Sequence, residues 1–167
     1  EALSGLEKFN LTRWDDVNAA YRAKALKKIP FRKTSYGEDF MWANDALSVG
    51  MSLVYQDKSR VYHYHDTDFK FHWKRTITVN YYVNVIFGII RSRQKLLLPA
   101  MRIVYSIMKL DNLTFFKKMY WTYYNLSNLI SRFLSSSLVV IMFWIFRSRG
   151  LKMLNDLFCV KVVVPKK

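Results

Sequence analysis

The sequence has a single cysteine, Cys159, and few residues that form turns. One cysteine excludes a disulfide framework or a cysteine-based zinc site within the chain, and it fits a reducing compartment. Five glycines and three prolines form no low-complexity tract, and with 51% hydrophobic residues this excludes a disordered chain. No basic and apolar leader follows Glu1, so no signal peptide is expected. The missing Met suggests the C-terminal part of a longer protein.

Acidic residues are also scarce in the second part of the chain. Residues 1–75 hold 13 basic and 10 acidic residues, whereas residues 76–167 hold 14 basic residues and two acids, Asp111 and Asp156. The second part is also markedly apolar. Cationic and apolar character together favour an anionic membrane surface. Nucleic-acid binders interleave aromatic residues with charge, so we expect no nucleic-acid partner.

Residues 1–75 have the pattern of a mixed α/β domain, which begins with two predicted helices. Apolar side chains recur on one side of a predicted helix over residues 14–29, and Pro30 should stop it. A second helix is predicted over residues 37–50, with Gly50 as its C-terminal cap.

Two strands are predicted after these helices. Residues 51–56 form a short apolar stretch, and residues 58–65 alternate along the chain, which would place His63 and His65 on one face. Helices followed by strands indicate an α/β fold for residues 1–75.

From about Phe69 onwards the pattern is helical. The segment over residues 126–146 is long enough to cross a membrane, but Arg132 interrupts it. We favour helices that lie in the headgroup layer. A spanning helix and a helical core with a basic outer face are the alternatives. The prediction is thus a domain over residues 1–75 and a cationic, membrane-associated helical tail over residues 76–167.

Two acids stand at the head of the second predicted helix. Glu38 and Asp39 would be stabilised there by the helix dipole and by free backbone N–H groups, which explains them without any function. A catalytic function would require one carboxylate to take a proton from a hydroxyl in a cleft. The surrounding residues favour the second interpretation.

An ordered set of short motifs surrounds these acids and resembles the second half of the catalytic domain of family 2 glycosyltransferases. These are inverting enzymes with the GT-A fold, and more narrowly the set looks like the bacterial rhamnosyltransferase-like members that build surface polysaccharide. The resemblance covers residues 14–75. It rests on Asn18 to Arg22, Pro30-Phe31, Gly37-Glu38-Asp39, Trp42, Gly50 and His63-Tyr64-His65.

The resemblance implies functions for several side chains. Asp39 would be the general base that deprotonates an acceptor hydroxyl, and Glu38 would hold the acceptor sugar or orient the loop. Trp42 and Trp14 would stack on a sugar or nucleotide, although packing in the helical core explains Trp42 equally well. The two remaining candidates, Asn18 and Arg22, would contact the acceptor or a diphosphate, although a solvated position on the helix explains Arg22 equally well.

The resemblance also implies a divalent metal, Mn²⁺ or Mg²⁺, in the complete protein. His65 or His63 would complete its ligand shell, and the sequence does not decide between them. Asp66 and Asp68 spell an Asp-x-Asp pattern, but they lie downstream of the histidines, where this family does not place its metal motif. The donor-binding half of the family's domain has no counterpart here, so we expect the chain to be inactive alone.

The implied partners are a nucleotide sugar, a saccharide or polyprenyl-diphosphate-linked acceptor, and an anionic membrane surface. The expected location is the cytoplasmic face of the bacterial inner membrane, either peripheral or with one spanning helix. The alternative function is a non-catalytic basic module that binds membranes or nucleic acid.

Overall fold

A computed structural model describes residues 3–12, 16–34, 36–63, 67–91 and 95–158. Its elements, in chain order, are α1 (Gly5–Leu11), a 3₁₀ turn (Asp16–Asn18), α2 (Ala23–Lys28), α3 (Glu38–Ser48), α4 (Phe69–Phe87), α5 (Leu97–Met108) and α6 (Phe115–Phe158).

Helix dominates the described residues, of which 70% are helical and none forms a strand. The predicted α/β fold is therefore wrong, and the described part is mainly helical. The predicted strand over residues 51–56 and the described part of the one over residues 58–65 fail for one physical reason. A strand needs a partner for its backbone N–H and C=O groups, and alternation along the sequence supplies none. Instead, the Ser59 N–H donates to the Gln56 carbonyl at 3.2 Å and closes a turn between the two segments.

The predicted helix over residues 14–29 is shorter and broken. The described part of it forms the 3₁₀ turn and then α2, with Arg22 as the N-cap residue. The prediction that it stops at Pro30 is confirmed, because α2 ends at Lys28. Proline disfavours helical geometry in the residue before it, which agrees with this end.

The helix α3 forms where the sequence predicted it. It ends in the left-handed turn that a C-terminal glycine permits, since Gly50 has a φ of 77°. The Gly50 N–H donates to the Leu47 carbonyl at 3.0 Å and the Met51 N–H to the Ala46 carbonyl at 2.9 Å. These two bonds satisfy carbonyls that would otherwise be left free at the helix end.

The packing divides the chain into two compact units. The first consists of residues 1–65 with residues 82–89, and the second of residues 66–81 with residues 90–167. The division predicted after residue 75 lies within α4, and it stays a prediction.

In the first unit, α1 and α3 pack against the last turns of α4. The ring of Phe9 lies 5.6 Å from that of Phe87 and 6.3 Å from that of Phe40. A capping box between Ser4 and Glu7 starts α1. Hydrogen bonds from Ser4 also lower the pKa of the Glu7 carboxyl.

In the second unit, a small apolar core joins α4 to α6. Its buried members are Ile77, Val139, Leu151 and Leu154. The hydroxyl of Ser131 donates to the Phe69 carbonyl at 2.6 Å and ties the two helices together near the start of α4.

The helix α6 is interrupted once along its length. Arg147 has a φ of 53° and a ψ of −144°, which no helix contains. Beyond it, Gly150 lies against the backbone of Met142, eight residues earlier. In a straight helix these residues would be about 12 Å apart. The last turns of α6 therefore fold back, which brings Leu151 and Leu154 into the core.

Candidate functional site

The two acids lie in the first turn of α3, as the sequence predicted. Gly37 precedes them in the left-handed conformation with a φ of 74°. Glu38 is exposed and Asp39 is half-buried. The Oδ1 of Asp39 accepts a hydrogen bond from the Phe40 backbone N–H at 2.8 Å. Because Asp39 is only half-buried, a hydroxyl could approach its carboxylate and give up a proton to it.

Contacts along its length hold α3 in place. Arg32 forms a two-pronged ion pair with Asp45, in which Nε lies 2.8 Å from Oδ2 and an Nη atom 2.7 Å from Oδ1. The paired geometry fixes direction as well as distance. This pair and the Gly50 turn hold the C-terminal half of α3, whereas the two acids lie at its N-terminal end.

Trp42 is a core residue of the first unit. It is 5% exposed, and its indole N–H donates to the Ile29 carbonyl at 2.8 Å. The ring of Tyr21 meets it edge-on at 4.7 Å, and that of Phe31 lies 6.0 Å away. Of the two expectations for Trp42, sugar stacking and core packing, these aromatic contacts and the low exposure agree with core packing.

Asn18 connects the 3₁₀ turn to the segment that bears His63. Its side-chain amide donates to the Ser59 hydroxyl at 3.0 Å. Both Arg22 and His63 are exposed, and solvent or a ligand can reach their side chains. Trp14 and His65 lie outside the described residues, so their predicted functions stay predictions.

The structure gives little support to the predicted metal site among the described residues. Within the described ranges, no group of three or more His, Cys, Asp or Glu side chains is close enough to hold a metal ion. His63 offers one imidazole, which suits Mn²⁺ as a single ligand beside a diphosphate. The ligand set implied by the resemblance is not assembled from described residues, and the metal stays a prediction.

The second unit presents a candidate membrane surface. Among the described residues, only α6 is long and apolar enough to cross a bilayer, by length and composition. Many large apolar side chains of α5 and α6 face solvent. Membrane association is thus weakly indicated, in agreement with part of the predicted location.

The only described histidine with a shifted pKa, His72, lies in the second unit. Burial lowers its pKa first, and the positive charges of Arg132 and Arg75 lower it further, while Asp68 opposes them. Sequence patterns assign it no catalytic function.

The sequence did not indicate two residues that matter for this site. Arg32 and Asp45 are 13 positions apart, and no periodic or capping pattern links such residues. A basic residue just after Pro30-Phe31 was the only available signal, and it names no partner.

Comparisons with protein families, with curated proteins and with solved structures each found no match to this chain.

Proposed function

We propose that this chain is part of a membrane-associated, inverting glycosyltransferase. It would move a sugar from a nucleotide-sugar donor to a hydroxyl of a saccharide or lipid-linked acceptor in cell-surface polysaccharide synthesis. The observation that carries the proposal is the solvent-accessible Asp39 carboxylate in the first turn of α3. The ordered motifs around it, from Asn18 to His63, support the same function.

Asp39 acts as the general base in this proposal. Its carboxylate takes the proton of the acceptor hydroxyl while the hydroxyl oxygen forms a bond to the anomeric carbon of the donor. The bond from that carbon to the diphosphate oxygen breaks on the opposite face, and the nucleoside diphosphate leaves with the electron pair. The configuration at the anomeric carbon is thereby inverted. A general base typically contributes about 10²–10⁴-fold to the rate.

The other candidates bind rather than react. Glu38 precedes the base on the same helical turn and can accept a hydrogen bond from the acceptor sugar. The guanidinium of Arg22 is exposed and suits a phosphate oxygen. In the complete protein, a divalent metal would neutralise charge on the leaving diphosphate, with His63 or His65 as a protein ligand.

Membrane association would bring the site to its acceptor. Polyprenyl-diphosphate-linked sugars lie in the cytoplasmic leaflet, and we place the chain on that face of the bacterial inner membrane. The exposed apolar side chains and basic residues of α5 and α6 support this placement.

The substitution Asp39→Asn in the complete protein tests the catalytic proposal. The amide keeps the size of the side chain and its oxygen acceptor but cannot take the proton. We expect transfer to membrane-bound acceptor to fall at least about 100-fold, with an unchanged circular dichroism spectrum. Asp57→Asn, in the exposed turn after Gln56, is the matched control and should transfer normally. Near-normal transfer by the Asp39 variant would remove this residue from the base function.

A non-catalytic membrane-binding module is the second candidate, and the exposed apolar surface of α5 and α6 favours it. It predicts that Asp39 and His63 are dispensable for activity in cells. Basic residues of the second unit would then be the ones that matter.

A further inference from the structure

The helix α5 and the start of α6 form a helical hairpin that is held by contacts between the two helices. We define the α5–α6 hairpin as residues 97–124, which comprise α5, its connection and the first ten residues of α6. The two helices pack against each other. The ammonium group of Lys118 donates to the Met108 carbonyl at 2.8 Å and satisfies an end of α5. The ammonium group of Lys109 lies 4.5 Å from the centre of the Tyr105 ring.

The hairpin exposes a stripe of large apolar side chains on each helix. On α5 the stripe follows helical spacing, with members three or four residues apart. On α6 it continues through the first two and a half turns. The most exposed members are Leu97, Met101 and Tyr105 on α5, and Phe115, Phe116 and Tyr123 on α6.

The charges around these stripes have one sign. Residues 95–124 hold five basic residues and a single acid, Asp111. Aromatic residues beside lysines are typical of the headgroup level of a bilayer, where a ring has an apolar body and a polar edge. Anionic headgroups complement this charge. A second copy of the chain would instead place like charges against each other.

We infer that the α5–α6 hairpin is the element that inserts into an anionic membrane surface, with both apolar stripes in the headgroup layer. This inference rests on the membrane association in the proposed function and assigns it to particular residues. A structural reason favours the hairpin over residues 126–146. One face of that stretch is already packed within its own unit, where Ser131, Ser135 and Val139 are fully buried. The fold-back at Arg147 also shortens the straight length of α6.

Two aromatic residues of matched exposure test this assignment. Phe116, in the hairpin, is 81% exposed, and Trp144, beyond it on the same helix, is 78% exposed. The variants Phe116→Ser and Trp144→Ser each remove one large exposed ring and should fold normally. Binding of the full chain to phosphatidylglycerol-containing vesicles is measured by co-sedimentation. We expect the partition coefficient to fall about tenfold for Phe116→Ser and less than about twofold for Trp144→Ser.

A matched pair of basic residues tests the lipid charge. Lys117, in the hairpin, and Arg149, beyond the fold-back, are both exposed. Lys117→Gln should weaken binding to these anionic vesicles about fivefold, and Arg149→Gln should weaken it less. Wild-type binding to pure phosphatidylcholine vesicles should be much weaker.

The outcomes separate the two claims. Failure of the wild-type chain to bind anionic vesicles would overturn membrane association itself, and the hairpin with it. Binding that is reduced more by Trp144→Ser than by Phe116→Ser would overturn only the hairpin and favour insertion of residues 126–146. Equally tight binding to neutral and anionic vesicles would overturn the anionic preference.

Discussion

Replacing Gly150 with alanine tests whether α6 folds back at Arg147. A methyl group on Gly150 would lie 3.0 Å from the carbonyl carbon of Met142 and 3.1 Å from the Cβ of Phe146. It would lie closer still to the carbonyl oxygen of Met142. Favourable carbon contacts are about 3.5–4.0 Å, so the two backbone segments must move apart. Overpacking of this kind costs about 1–3 kcal/mol, while alanine gains about 1 kcal/mol over glycine in a helix. We expect a net loss of about 1 kcal/mol.

The companion substitution Arg147→Gly should act in the opposite direction. A side chain at this φ and ψ costs about 1–3 kcal/mol, which glycine relieves. The greater freedom of glycine in the unfolded chain and loss of the contact with the Phe143 ring, 5.9 Å away, offset about half of that gain. We expect a stabilisation of about 1 kcal/mol.

The sign of each effect separates the two shapes of α6. Urea unfolding of the full chain, followed by circular dichroism, gives the free energies, and Ser148→Ala serves as an exposed helical control. In an unbroken helix Gly150→Ala would stabilise and Arg147→Gly would destabilise, each by about 1 kcal/mol. Finding those reversed signs would refute the fold-back.

Three further predictions concern the rest of the structure. Because the folded state lowers the pKa of His72, the contribution of neutral His72 to the free energy of unfolding is complete above the ordinary pKa of 6.5 and is lost as the pH falls below 6.5. The variant His72→Gln should therefore show a smaller drop in unfolding midpoint between about pH 7 and about pH 5. Trp42→Phe keeps a ring in place but leaves the Ile29 carbonyl without its indole donor, so thermal unfolding should show a loss of about 2 kcal/mol. A double-mutant cycle of Arg32→Ala and Asp45→Ala should give a coupling of about 0.5–1 kcal/mol, since Arg32 is mostly exposed, and no coupling would show that this pair does not hold α3.

Local signals predicted the parts of the fold that local interactions form. The C-terminal end of α3 follows from Gly50, whose left-handed turn caps the helix, and the end of α2 follows from Pro30. Each of these features involves residues within a few positions of one another, so the sequence alone carries the information.

Features that depend on distant partners were not predicted. A short apolar stretch over residues 51–56 and alternation over residues 58–65 suggested strands, but a strand exists only when a second one pairs with it. The reversal at Arg147 has no glycine at the unusual backbone position, and Gly150 is used for close approach rather than for ending a helix. Sequence patterns could therefore indicate a long apolar helix but not its fold-back.

The candidate site was predicted in part. The acids of α3 lie in its first turn as expected, while the ion pair of Arg32 with Asp45 near the other end of the helix could not be foreseen. The functions of Asp39, Glu38 and His63 stay predictions, since they concern substrates rather than contacts within the chain.

The stereochemistry of sugar transfer by the complete protein tests the proposed function most directly. Membranes that contain the complete wild-type protein would be incubated with nucleotide sugars, and the new linkage would be examined by nuclear magnetic resonance. We predict a product whose anomeric configuration is opposite to that of the donor, and no product above background from the Asp39→Asn protein. A product with retained configuration, or equal transfer by both proteins, would contradict direct displacement with Asp39 as the base.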